Sequence, residues 1–417
     1  MFRFKTDPMK KIACIAFAAV LMNTQASAQN DIPDSDSDYL NNLNTISTSV
    51  PFLLIAPDSR AGAMGDVGAA TSPDHNSIHW NASKLAFLED DNGFSVSYTP
   101  WLQALVPEIS LSYLSGFKRL NNRSTVAASL RYFSLGEIQF TDNEGQAISK
   151  FSPNEFALDG AYAMKLSENF SSGLAMRYIY SNLTGGINVQ GGAPTKPGTS
   201  FGVDLSSYYQ SDEFKVEDKT AYWAAGVNIT NLGNKISYTD GGEEHFLPTN
   251  GRLGASFNME LDDYNSVSFA FDVNKLLVPT PPVYALDEDN KEIIDENGDQ
   301  VIVAGQDPNV GTLQGVFQSF SDAPGGFQEE INELMYSVGM EYWYLKQFAF
   351  RGGYFYEHET KGNRKYFTLG VGLRMNVFSL DMAFLLPAQR GTRSPLANTL
   401  RFTMLFDMAA LYSTDKQ

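Results

Sequence analysis

The chain of 417 residues is poor in cysteine, in basic charge and in long apolar runs. Its single cysteine, Cys14, lies in a short apolar stretch near the N-terminus, so the remainder of the chain can form no disulfide bond. The formal net charge is −18, from 30 basic and 48 acidic residues, and this excess of acidic residues argues against nucleic acid as a partner. After the N-terminal stretch, no segment approaches the roughly 18 consecutive apolar residues of a membrane helix.

Residues 1–28 are predicted to be a secretory signal peptide. Lys10 and Lys11 precede an apolar run, and Ala26-Ser27-Ala28 forms a cleavage site. The mature chain then begins at Gln29 and carries a formal net charge of −21, because the leader holds four basic residues and one acidic residue. An exported chain without an apolar helix is either soluble or a closed barrel of alternating strands.

Catalytic and metal-binding motifs are also scarce. H-E-x-x-H does not occur, and the single G-x-S-x-G match, from Gly198 to Gly202, lies at the start of an alternating strand segment and not in a strand-to-helix turn, which disfavours a lipopolysaccharide deacylase. His75 and His79 are four residues apart and Asp74 is adjacent, so a helix could present two metal ligands. The sequence offers no third ligand, and buried, hydrogen-bonded histidines explain the pair better. We therefore predict no catalytic residue, no metal and no cofactor.

Period-two alternation dominates the chain from Phe94 onward. In residues 267–274 the apolar side chains at odd positions oppose small or polar ones at even positions, which suits a strand with one face in lipid and one in a polar lumen. We predict an all-β fold in which residues 93–417 form a fourteen-stranded antiparallel transmembrane β-barrel. The fourteen segments begin near Phe94, Glu108, Ser124, Glu155, Phe170, Ser200, Ala221, Arg252, Ser266, Met335, Phe348, Tyr366, Ser379 and Thr399.

The lengths of the connections support this prediction. Connections after even-numbered segments are short, apart from a longer polar one after the sixth, 211–219, whereas most of those after odd-numbered segments are long, and the longest covers about 276–334. Because such barrels have short periplasmic turns and long outer loops, the long loops are predicted to be extracellular and both termini periplasmic. The acidic tract 287–299 does not have the glycine position of an EF-hand, so we predict a solvated acidic hairpin there.

Two segments precede the predicted barrel. Residues 29–50 are rich in Asp, Ser and Asn and are predicted to be a flexible periplasmic arm. Residues 51–92 are rich in Gly and Ala, lack alternation, and are predicted to form a plug or lid in the lumen. Ionisable residues of both signs are predicted to point inward, which indicates a lumen filled by ion pairs and the plug. They are Arg131, Asp159, Lys165, Arg177, Asp204, Arg252, Glu260, Asp272, Glu341, Arg351, Arg374, Asp381 and Arg401.

The first outer loop, from Pro100 to Pro107, is apolar between two prolines. Apolar residues should not project into water unless a membrane or a protein receives them. We predict a partner-docking tip, with an anchor in the membrane interface as the alternative. The tip would comprise Trp101, Leu102, Leu105 and Val106.

The predicted plug resembles the PorV family, outer-membrane proteins of the type IX secretion system of Bacteroidetes. Further similarity lies in residues 153–162 and 226–233, so the resemblance covers most of the mature chain. Within the plug it is carried by Pro57-Asp-Ser-Arg-Ala-Gly62, Met64-Gly-Asp-Val-Gly68, Ala70-Thr-Ser-Pro-Asp74 and His79-Trp-Asn81. These stretches include Arg60, Gly62, Gly65, Asp66, Gly68, Asp74, His79, Trp80 and Asn81.

The resemblance implies a FadL-like barrel with a non-enzymatic role. Members of the family accept cargo by its C-terminal signal domain at a translocon barrel of the SprA/Sov type. They then deliver the cargo to the cell-surface attachment complex that contains the sortase. The implied surroundings are outer-membrane lipid and lipopolysaccharide. A FadL-like transporter of hydrophobic small molecules is the alternative, and it would need an apolar route past the plug.

Overall fold

The computed structural model describes residues 43–102, 106, 108–141, 147–186, 194–289, 291–388 and 399–408. Four short α-helices are α1 (Ser59–Gly62), α2 (Ser77–Trp80), α3 (Thr312–Gln318) and α4 (Phe327–Asn332), and two 3-10 helices cover Pro51–Leu54 and Ala82–Phe87. The strands are β1 (Asn92–Pro100), β2 (Ser110–Arg119), β3 (Ser124–Ser134), β4 (Ile138–Thr141), β5 (Ala147–Phe151), β6 (Asn154–Lys165), β7 (Phe170–Asn182), β8 (Gly198–Gln210), β9 (Phe214–Val216), β10 (Lys219–Gly233), β11 (Asn250–Glu260), β12 (Asn265–Leu276), β13 (Val283–Tyr284), β14 (Ile302–Ala304), β15 (Met335–Tyr344), β16 (Phe348–Tyr356), β17 (Lys365–Arg374), β18 (Phe378–Pro387) and β19 (Leu400–Asp407).

Fourteen of these strands form one closed antiparallel barrel. Each pairs with its neighbour along the chain, and β1 pairs with β19 from Gly93 opposite Asp407 to Tyr98 opposite Phe402. The remaining strands lie outside the wall: β4 pairs with β5, β13 pairs with β14, and β9 extends the edge of β10. The predicted fourteen-stranded barrel is confirmed, and every predicted segment begins within two residues of a wall strand.

Alternation separates an inner face from an outer face along each wall strand. In β12, Phe269 and Phe271 are exposed on the outside, whereas Ala270 and Asp272 are buried on the inside. The row of apolar side chains thus lies on the surface that lipid would cover, as a membrane strand requires. Each helix within the described residues is too short or too polar to traverse a bilayer.

The two rims of the barrel differ in the length of their connections. One rim, here called the short-turn end, carries turns such as 120–123, 166–169, 261–264 and 345–347. The opposite rim, the long-loop end, carries the longer connections, including 234–249 and 277–334. The loop 277–334, here called the large loop, contains β13, β14, α3 and α4. Its acidic tract forms a small antiparallel ladder with bridges between Leu286 and Glu292 and between Ile294 and Gln300.

The segment before the plug lies at the long-loop end. The Asn44 amide donates to the carbonyl oxygen of Thr360 at 3.1 Å, and its side chain donates to the Pro281 carbonyl oxygen at 3.1 Å. The Ser49 amide donates to the Phe246 carbonyl oxygen at 3.0 Å. The prediction that arm 29–50 lies on the same side as the short turns is therefore wrong for residues 44–50, and residues 29–42 lie outside the described part of the chain.

Residues 50–91 then pass through the lumen to the short-turn end, where β1 begins. Ser59, Ala63 and Ala69 are almost completely buried, and residues of β8, β10, β12, β17, β18 and β19 contact this segment. The segment has little regular structure because its backbone groups are satisfied mainly by turns and by side chains of the wall.

Candidate functional site: a plugged lumen beneath the long loops

Arg60 fixes the plug to the wall through a chain of buried charges. Its guanidinium lies 2.9 Å from a carboxylate oxygen of Asp74 and 2.8 Å from one of Glu341 on β15. Glu341 also accepts from Arg351 at 2.7 Å, and Arg351 reaches Asp381 at 2.6 Å. Burial would raise the pKa of Asp74, but the charge of Arg60 outweighs it and holds that pKa below its usual value. Buried charges that are paired and hydrogen-bonded in this way are costly to separate.

Two further carboxylates fasten the glycine-rich turn of the plug. Asp66 accepts from Arg401 of β19 at 3.0 Å and from the Tyr366 hydroxyl of β17 at 2.6 Å. One carboxylate oxygen of Asp272, on β12, accepts the backbone amides of residues 68–69 at 2.7 and 3.0 Å. The plug is thus held by strands from distant parts of the barrel, and the wall supplies the hydrogen bonds that its backbone cannot make internally.

Asp58 organises the interior of the plug. It caps α1 by accepting the Ala61 amide at 3.0 Å, and its other oxygen accepts the indole N–H of Trp80 at 2.6 Å. Burial, reinforced by the charge of Asp74, raises the pKa of Asp58 from 3.8 to about 6, although the two hydrogen bonds act in the opposite direction. Asn81 joins the next turn to the wall, because its side-chain amide donates to the carbonyl oxygens of Ala69 and Ser207.

The two histidines of the plug have separate surroundings. The ring of His75 packs edge-on against Phe117, with 5.0 Å between the ring centroids. Nδ1 of His79 contacts the guanidinium of Arg131, and burial together with that positive charge lowers the pKa of His79 well below 6.5. No group of three metal-ligating side chains occurs in the part of the chain that the structure describes. Because Nδ1 of His79 accepts a hydrogen bond from Arg131, His79 is a hydrogen-bonded residue of the plug.

Close backbone approach explains several glycines, some of which the sequence analysis missed. Gly65 has φ +69°, and a methyl group there would lie 2.6 Å from the Tyr354 carbonyl oxygen. On the wall, a methyl group on Gly353 would lie 2.1 Å from the carbonyl carbon of Met64. Glycine at inward positions of the predicted strands was the feature of the sequence that could have indicated these close contacts. The wall glycines whose added methyl group would meet plug atoms include Gly93, Gly173, Gly226, Gly254, Gly339, Gly353 and Gly370.

Lys84 is a second plug residue that the sequence analysis missed. Its ammonium group is completely buried and donates to the Gly68 carbonyl oxygen and the Thr71 hydroxyl, both at 2.9 Å. Burial lowers its pKa to about 8. Lys84 therefore ties the last turn of the plug to the turn that Asp272 holds.

A polar cavity lies at the short-turn end of the barrel, next to the plug. Its volume is about 1010 Å³, and it is lined by polar and charged residues that include Arg60, Asp74, Arg374 and Glu341. A separate pocket of about 20 Å³ is lined by residues that include Leu53, His79 and Arg177. Toward the long-loop end an apolar cluster lies in the lumen, and the segment before β1 supplies part of it. The cluster comprises Val50, Phe52, Leu53, Leu111, Phe133, Ala157, Ile179, Ile236 and Leu247.

The predicted docking tip is only partly at the surface. Trp101 is half-buried against the apolar cluster, and the guanidinium carbon of Arg401 lies 5.9 Å from its ring centroid. Leu102 is also half-buried, Val106 is exposed, and Leu105 lies outside the described residues. Trp101 therefore packs against the apolar cluster at the long-loop end, and partner docking by these four residues stays a prediction.

The large loop is anchored to the long-loop end by a second buried network. Lys275, at the end of β12, pairs with Glu330 at 3.0 Å and with Glu333. Glu333 also accepts from Lys361 at 3.0 Å, and Thr280 donates its hydroxyl to the same carboxylate at 2.7 Å. Helix α4 is thereby fixed to β12 and to the loop after β16.

The sequence matches the family described as the type IX secretion system protein PorV over residues 38–283, more than half of the chain. This chain belongs to the PorV family. That membership connects the protein with type IX secretion, and the closed barrel agrees with an outer-membrane location. No curated protein matches the sequence.

Beyond the PorV family, solved structures of hydrocarbon transporters and FadL homologues are similar to this chain. The toluene transporter TodX of Pseudomonas putida is 13% identical, with a TM-score of 0.44, and the match covers 83% of this chain and 96% of TodX. The toluene transporter TbuX of Ralstonia pickettii is 12% identical, with a TM-score of 0.41, and the match covers 84% of this chain and 96% of TbuX. A FadL homologue of Pseudomonas aeruginosa is 11% identical, with a TM-score of 0.41, and the match covers 88% of this chain and 99% of that chain.

Proposed function

We propose that this protein is a non-enzymatic shuttle subunit of the type IX secretion system in the outer membrane. It binds the C-terminal signal domains of secreted cargo at the translocon barrel and delivers them to the attachment complex that contains the sortase. The observation that carries the proposal, together with membership of the PorV family, is the plug held across the lumen by buried ion pairs. A barrel closed in this way acts through its surface and not as a conduit.

Orientation in the membrane follows from the two rims. Short connections are typical of the periplasmic side of such barrels and long ones of the outer side, so we place the large loop outside the cell. Asn44 and Ser49 contact the long-loop end, so the described start of the chain lies outside as well. The end of β19 lies at the short-turn end, on the periplasmic side.

Transport of a hydrophobic solute is the second candidate function, and one observation favours it. The long-loop end contains an apolar chamber whose wall includes Leu111, Phe133 and Ile179. Phe52 and Leu53 occupy this chamber, so a solute would have to displace them. Beyond the chamber a solute would meet charged residues such as Arg60 and Glu341, which are costly for an apolar molecule to displace.

Affinity purification from detergent-solubilised outer membranes tests the two candidates. The tagged protein should retain the translocon barrel and cargo that carries a C-terminal signal domain, both identified by mass spectrometry. Recovery of fatty acid or another hydrophobic solute, with no protein partner, would instead establish transport. A tagged outer-membrane barrel of another family, purified in parallel, controls for proteins that bind detergent micelles non-specifically.

A further inference from the structure

Helices α3 and α4 of the large loop present exposed aromatic side chains. Phe317 is 75% exposed and Leu313, one turn earlier on the same side of α3, is 63% exposed. Phe327 is 80% exposed at the start of α4, with Ile331 one turn later, and Phe320 in the connection is 59% exposed. Exposed apolar groups of this size on a fixed surface indicate a site that binds something.

The opposite sides of both helices are anchored, so these side chains are held away from the barrel. On α3, a methyl group at Gly315 would lie 2.9 Å from the ring of Phe246, which shows how closely this helix packs on the loop after β10. On α4, Glu330 pairs with Lys275 and accepts the Ala323 amide at 3.0 Å. The aromatic side chains cannot turn inward without breaking these contacts.

The negative charge of the large loop favours a partner surface that is positively charged. Residues 277–334 contain twelve acidic residues and one lysine. Three of the acidic residues are held by Lys275 and Lys361, but the eight from Asp287 to Asp307 are exposed. Such a surface repels the anionic phosphate groups of lipopolysaccharide and attracts a protein surface that carries Lys and Arg.

We propose that Leu313, Phe317, Phe320, Phe327 and Ile331 form the surface that receives the cargo signal domain, through apolar residues of that domain flanked by Lys or Arg. This inference rests on the proposed function and names the surface that would carry it out. The aromatic side chains supply the apolar contact, and the acidic residues of the same loop supply attraction and orientation.

The test measures binding of a purified C-terminal signal domain, fused to a fluorescent protein, to the full-length mature protein in nanodiscs. Replacing both aromatic residues, as Phe317→Ser with Phe327→Ser, should weaken binding by about 100-fold. The matched control is Val303→Ser, which changes an apolar residue of the same loop that is 67% exposed but lies outside the two helices. This control should leave binding within about twofold, and retained heat-modifiable migration in gels verifies that each variant folds.

The possible outcomes separate this inference from the proposed function. If the wild-type protein binds the signal domain and the double variant binds equally well, the surface is wrong and the shuttle proposal stands. If the wild-type protein does not bind, both fail. If the double variant loses affinity only for vesicles that contain lipopolysaccharide, the aromatic residues are a membrane anchor and the inference is overturned. The inference is supported if binding to the wild-type protein weakens several-fold between 50 and 500 mM salt and the double variant loses binding.

Discussion

Removing the side chain of Arg60 should release the plug from the wall while the barrel stays closed. In the Arg60→Ala variant, Asp74 loses its 2.9 Å contact and Glu341 loses its 2.8 Å contact. Glu341 retains Arg351, and the hydrogen bonds between strands do not involve Arg60. The damage is therefore confined to the attachment of the plug.

The expected size of the effect follows from burial. Only 12% of the Arg60 side chain is exposed, and that of Glu341 is 2% exposed, so solvent screens neither charge. Breaking a buried ion pair by removing one partner costs about 3–5 kcal/mol. Because Arg351 still compensates Glu341, we expect the lower value, about 3 kcal/mol. That free energy corresponds to roughly a 100-fold increase in the population with a released plug.

Hydrogen exchange measured by mass spectrometry on the protein in detergent micelles reports this population directly. Peptides that contain the amides of residues 68–69, which Asp272 holds in the folded plug, should exchange about 100-fold faster in Arg60→Ala. Peptides from the wall strands should exchange at the wild-type rate. Arg60→Lys keeps the charge but not the forked geometry of the guanidinium, so it should give an intermediate rate.

Lys150→Ala is the matched control, because it breaks the ion pair with Glu137, in which both side chains are about half exposed. Exchange of the plug peptides should not change in this variant. Equal plug exchange in Arg60→Ala and the wild-type protein would refute the conclusion that buried charge holds the plug. Faster exchange throughout the barrel would show that Arg60 supports the whole fold, which would also contradict the reasoning.

Three further predictions concern the plug and the large loop. Because the pKa of Asp58 is raised to about 6, its protonation stabilises the folded plug, and this contribution to stability falls as pH rises from about 4 through 6. Tryptophan fluorescence should therefore show a transition near pH 6 that Trp80→Phe abolishes. Persistence of the transition in that variant would refute its assignment to Asp58. Gly65→Ala should destabilise the plug by at least about 1–2 kcal/mol in the same exchange experiment, since φ is +69° and the added methyl group meets the Tyr354 carbonyl oxygen. An unchanged exchange rate would contradict the close approach of Gly65 to the wall. Lys275→Met should remove one of the positive charges that compensate the carboxylate of Glu333, so the large loop should become more sensitive to limited proteolysis. An unchanged cleavage rate would show that other contacts hold the loop.

The wall of the barrel could be predicted from the sequence because alternation is a local property. Phe269 and Phe271 are separated from Ala270 and Asp272 by the geometry of a strand alone, so the two faces follow without knowledge of the fold. The parity of loop lengths then distinguished the two rims. The large loop could be recognised as long, but its helices and their anchoring by Lys275 depend on contacts between distant segments.

Pairings across the lumen could not be predicted, although their participants could. Arg60, Glu341, Arg351 and Asp381 were all singled out as plug or inward residues, yet Arg60 and Glu341 are 281 positions apart in sequence. Which charges meet depends on where the barrel closes and on the path of the plug, and alternation encodes neither. The same reason explains why Trp101 was predicted to project, whereas the structure packs it against side chains from distant strands.

The path of the plug constrains how the protein is assembled. Ser49 is bonded at one rim and Asn92 begins β1 at the other, so the intervening segment runs through a ring whose seam is the pairing of β1 with β19. If the barrel closed first, this segment would have to be threaded through the lumen, and its carboxylates and Lys84 would have to pass the side chains of the finished wall. The seam must therefore close around the segment late in biogenesis, and a chain whose first and last strands joined too early would leave an unfilled barrel.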